Sequence, residues 1–82
     1  MTLLSDMSTE IKNRIETGIP GAIVQVRTGS DRHYEISVIS ASFEGQSQVK
    51  QQQQVYALIT DLMAGNEAPV HAIDRMDLRT KD

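Results

Sequence analysis

Eighty-two residues suffice for one small domain and not for two, so the chain is read as a single domain spanning 1–82. No cysteine is present, which excludes a disulfide framework, a thiol nucleophile and any metal site built on the chain's own thiolates; the composition fits a reducing compartment. The formal net charge is −3, and Arg14, Arg27, Arg32, Lys50, Arg75, Arg79 and Lys81 are scattered among acids such as Asp31, Asp74 and Asp77. An autonomous nucleic-acid binder usually gathers its positive charge on one face, so this balance weighs against that class. There is no apolar run long enough for a membrane span and no charged-then-apolar leader, and the expectation is a soluble cytoplasmic domain.

The first element is a short helix in "SDMSTEIKNRIETGIPG": Ser8 can cap it, Ile11 and Ile15 recur at i, i+4, and Gly18 stops it ahead of Pro20. "AIVQVRT" (Ala22–Thr28) is β-branched and alternates, with Ala22, Val24 and Val26 on one face. After the turn residues "GSDR", "HYEISVIS" alternates again, Tyr34, Ile36 and Val38 facing one way and His33, Glu35 and Ser37 the other. Proximity and pattern make these two strands a hairpin.

Next come four consecutive glutamines, Gln51–Gln54, running into an apolar segment in which Val55, Leu58, Ile59 and Leu62 fall at i, i+3, i+4, i+7. That spacing is an amphipathic helix. Extended backwards at about 100° per residue, it places Gln51 and Gln52 on the edges of the apolar face. An unpartnered buried amide costs roughly 1–3 kcal/mol, so the expectation is a bend or two short helices, with the glutamines near the junction and their amides reaching water. "AGNEAP" ends the helix. In "VHAIDRMDL" alternation puts Val70, Ala72, Met76 and Leu78 on one side and His71, Ile73 and Arg75 on the other. A strand–helix–strand crossover favours parallel pairing with a right-handed connection. The fold class is therefore α+β: a three-stranded mixed sheet with helices on one face and the other face left to solvent or to a partner.

Catalytic constellations are almost absent. "TGS" (Thr28–Ser30) is a lone turn rather than a phosphate loop, and the paired-histidine spacings of metallohydrolases do not occur. The serines have only two histidines to serve as a base, and Glu10 with Glu16, or Asp74 with Asp77, read as solvated surface charge. His33 and His71 open the second and third strands, off the core face, and pattern alone makes them ordinary surface histidines with exposed rings. If they held a metal, two imidazoles would leave its shell incomplete and thiolates would have to come from elsewhere; histidine does replace cysteine on one iron of some [2Fe–2S] clusters. Gly45 in "FEGQS" reads as a turn glycine between strand and helix.

The strand "HYEISVIS", the turn Phe43-Glu44-Gly45-Gln46-Ser47, Val49-Lys50 leading through the glutamines to Val55-Tyr56, and Val70-His71-Ala72-Ile73 together resemble the BolA-like family in order and spacing, from about Ile11 to Ile73. The resemblance implies an α-β-β-α-α-β arrangement similar to a type II KH domain. It also implies pairing with a monothiol glutaredoxin in iron–sulfur cluster trafficking and iron regulation. The shared [2Fe–2S] cluster would be held by the partner's cysteine, glutathione, and histidine or cysteine from the BolA-like side. His71 matches the family's C-terminal ligand histidine. His33 matches the histidine before the strand aromatic, for which a metal-ligand role and a structural role both stand. The family's second ligand, in the loop between the first two strands, has no counterpart in "TGSDR", and the Pro-x-Trp segment after the last strand is missing. Members related to nucleic-acid binding have Arg-His-Arg where this chain has Gln51-Gln52-Gln53. That loss of charge weakens phosphate attraction and leaves Gly45 and Lys50 to carry the alternative, a KH-like nucleic-acid-binding transcriptional regulator. In the absence of a partner, monomer and homodimer are both open.

Overall fold

Isoleucines four residues apart start the fold. The computed structural model describes residues 7–29, 32–65 and 68–80; Ser30 and Asp31 of the expected turn, and Asn66 and Glu67 of the expected helix breaker, lie outside the described residues. Helix α1 (Ser8–Gly18) buries Ile11 and Ile15 completely. Its cap differs from expectation: Ser8 is the first helical residue and Met7 the N-cap, with no side-chain cap. The entry is held instead by tertiary contact. The Met7 N–H donates to the Tyr34 hydroxyl at 3.1 Å, and the Met7 carbonyl accepts from Ile11 N–H at 2.9 Å.

Strands β1 (Ile23–Thr28) and β2 (His33–Ile39) pair antiparallel, from Ile23 opposite Ile39 to Thr28 opposite Tyr34. Strand β3 (Ala72–Arg79) pairs parallel with β2, giving the order β1-β2-β3 in a mixed sheet, as the crossover predicted. Tyr34, Ile36 and Val38 of the central strand are buried beneath α1 and the second helix, together with Phe43, Val55, Ile59 and Val70. Each fully buried side chain of this size stabilises the fold by about 1.5–3 kcal/mol. The opposite face of the sheet is polar: Gln25, Arg27, Glu35, Ser37, Arg75 and Asp77 line a shallow depression there of about 280 Å³.

The glutamine tract corrects one expectation. Helix α2 (Gln48–Ile59) contains the whole tract, and the break comes later, where α2 tightens into a 3-10 turn at Thr60–Met63. Gln51 is buried, and its amide Nε2 donates to the carbonyls of Phe43 at 3.3 Å and Gln46 at 3.0 Å. The turn before the helix supplies the partners that make burial tolerable; Gln52 and Gln53 reach water. Ser47 caps α2, accepting from Lys50 N–H at 3.2 Å.

The second correction is in β3. Tyr34 lies opposite Ile73 but Glu35 lies opposite Arg75, so Asp74 is an extra residue at a β-bulge. The bulge shifts the alternation by one. Ile73 therefore joins Met76 and Leu78 against the core instead of sharing a side with Arg75, and Ala72, expected on the core side, is not part of the core cluster.

Arg14 bonds Glu10 within α1 and ties the helix to the 3-10 turn through Asp61, and its guanidinium is held above its ordinary value, first by the hydrogen bond to Glu10 and then by that to Asp61. Among the described residues no helix is long and apolar enough to cross a membrane.

Candidate functional site

Where β2 and β3 begin, side by side, the fold brings the two histidines together. Gly29 N–H donates to the His33 carbonyl at 2.8 Å and closes the hairpin. Arg32, in a left-handed conformation at φ 56°, turns its carbonyl to β3, where it accepts from His71 N–H at 2.7 Å and Ala72 N–H at 3.3 Å. The residue before one histidine is thus bonded to the backbone of the other. Their ring centroids lie 5.2 Å apart with the planes tilted by 37°.

The environments of the rings differ. His71 is exposed, beside a depression of about 300 Å³ lined by Met63, Gly65, Ala68 and Val70. His33, expected to be exposed, is half-buried, because its Nδ1 sits 2.8 Å from Asp74 Oδ1 on the bulge. Asp74 is exposed, as expected of surface charge, but it is also bonded to His33. No local pattern marks it, since its proximity to His33 depends on strand pairing across a long crossover. Asp77, its apparent carboxylate companion, is bonded instead to Arg79.

Among the described residues, no group of three or more His, Cys, Asp or Glu is gathered to hold a metal ion. The donor set at this corner is a pair of imidazoles with one supporting carboxylate. Two imidazoles would leave a metal's shell incomplete, and any further ligands would have to come from other molecules. The set does not make a complete metal site by itself.

Gly45 and Lys50 lie elsewhere, Gly45 in the connection into α2 and Lys50 in its first turn. Gly45 has φ 81°, and a Cβ placed there would meet nothing within 4 Å. The turn reading therefore holds: backbone conformation, not close packing, requires the glycine. Lys50 is exposed.

The family model described as BolA-like protein matches residues 4–82. The chain belongs to the BolA-like family. A curated relative of this BolA-like chain, BolA-like protein 1 of Bos taurus, is 25% identical over an alignment of 80 residues that covers 87% of this chain but only 57% of the bovine protein, so the chain spans little more than half of that relative. Among solved structures, a BolA protein homologue from Coxiella burnetii is similar with a TM-score of 0.70 and 28% identity, covering 89% of this chain and 88% of that one. The BolA domain of SufE1 from Arabidopsis thaliana also superposes at a TM-score of 0.70, with 22% identity and coverage of 93% and 95%; at that identity the likeness concerns the fold.

Proposed function

We propose that this BolA-like chain is a non-enzymatic adaptor that pairs with a monothiol glutaredoxin in iron–sulfur cluster trafficking or iron and redox regulation. The observation that carries this reading is the exposed His71 ring at the start of β3, 5.2 Å from a second imidazole, in a chain without cysteine. The cargo is a [2Fe–2S] cluster whose thiolate ligands come from the glutaredoxin cysteine and from glutathione. Imidazole nitrogen is a suitable donor for iron, and this chain's part is to present it. His71 is the primary donor, and its exposure lets a partner approach without unfolding anything.

The test is anaerobic reconstitution with iron, sulfide, glutathione and a monothiol glutaredoxin, followed by visible circular dichroism and size exclusion. The wild-type chain forms a heterodimer with a distinct cluster spectrum, and His71→Ala changes that spectrum. An identical spectrum in the variant complex removes His71 as the ligand. If no complex forms at all, nucleic-acid binding through Gly45 and Lys50 becomes the leading reading. Its signature is a steep salt dependence that Lys50→Ala reduces.

A further inference from the structure

We infer that Asp74 is a positioning residue that presets His33 as the second imidazole donor beside His71; this rests on the cluster-adaptor reading above. The loop from Thr28 to Arg32 offers neither histidine nor cysteine. The imidazole that follows it, His33, is the one the fold sets against His71.

Its orientation is fixed by chemistry. An ionised carboxylate can only accept a hydrogen bond. With Asp74 Oδ1 2.8 Å from His33 Nδ1, the hydrogen of the neutral ring sits on Nδ1 and the lone pair on Nε2. A carboxylate behind an imidazole in this way orients the ring and raises its basicity toward a metal at the far nitrogen.

The bulge is what delivers the carboxylate. In an unbroken register the residue after Ile73 would lie opposite Glu35, placing Asp74 against another carboxylate, a destabilising like-charge pair. The extra residue lets Arg75 take the place opposite Glu35 and leaves Asp74 free to turn to His33. Bulges commonly re-aim one side chain in this manner.

The test uses the chain alone before it uses the complex. Nitrogen-15 NMR of the imidazoles shows neutral His33 as the Nδ1–H tautomer in the wild type. The tautomer persists in Asp74→Asn, which keeps an acceptor oxygen, and shifts toward Nε2–H in Asp74→Ala. Titration with zinc alone perturbs both histidine rings in the wild type, and Asp74→Ala weakens that binding about 10–100-fold. In the reconstituted complex, His33→Gln alters the same circular dichroism bands as His71→Ala. A wild-type His33 in the Nε2–H form overturns the inference, even if Asp74→Ala fails to fold. So does a folded Asp74→Ala with unchanged tautomer and zinc affinity, or a His33→Gln complex identical to wild type. Failure to associate with glutaredoxin, with tautomer and zinc results as expected, overturns the adaptor reading and leaves the preset donor pair standing.

Discussion

Gly18 at the end of α1 lies directly against Leu58 of α2: a Cβ built on the glycine would be 2.4 Å from Leu58 Cδ2 and 3.0 Å from its Cγ. The glycine thus does more than end a helix; it lets two helices approach. Gly18→Ala is expected to destabilise the fold by about 1 kcal/mol, because overpacking by one methyl costs about 1–3 kcal/mol and the gain in helix propensity returns part of it. In a Leu58→Ala background the same substitution becomes neutral or stabilising. Urea midpoints for the two single variants and the double variant check this; simple additivity would show that the contact carries no energy.

Gln51 and Gln52 are adjacent and chemically identical, yet they should respond very differently. Gln51→Ala removes the donor to the Phe43 and Gln46 carbonyls and costs about 1–3 kcal/mol. Gln52→Ala, at an exposed position, stays within about 0.5 kcal/mol of wild type. Denaturant unfolding of the pair decides whether the tract is structural at one residue or throughout.

Tyr34→Phe deletes only the hydroxyl that receives the Met7 N–H. A loss of about 1 kcal/mol is expected, with faster amide exchange confined to the first turn of α1. Uniformly raised exchange would place the effect in the core around the ring instead.

Gly45→Ala should cost about 1 kcal/mol although no atom obstructs the new methyl, since the penalty is that of a left-handed backbone. Gly45→Asn should recover part of it, because asparagine tolerates that conformation. Thermal unfolding separates this from any effect on a ligand.

The elements legible in the sequence were those encoded by short-range periodicity. The alternation of Tyr34, Ile36 and Val38, the i, i+4 pair Ile11 and Ile15, and the parallel crossover all stand in the structure. Three features were not legible, each for the same physical reason: they depend on contacts outside the periodic pattern of the element that carries them. Gln51 is buried because carbonyls from a preceding turn meet its amide; Ile73 faces the core because a bulge changes the phase of β3. The His33–Asp74 pair joins residues 41 positions apart. His71 stood out only through family resemblance, because nothing in its immediate neighbours distinguishes it from a surface histidine.

Parallel pairing between β2 and β3 has a consequence for the order of assembly. The β1–β2 hairpin needs only local chain closure, whereas β3 can dock only after α2 has crossed the sheet, and loop closure of that kind is slow. A chain that has formed its hairpin already holds His33 but has neither His71 nor Asp74 in place. The two rings therefore lie beside each other only in chains in which β3 has docked. Any metal that engages both rings binds only the finished protein and stabilises it by mass action, by about 2.7 kcal/mol at a hundredfold excess over its dissociation constant.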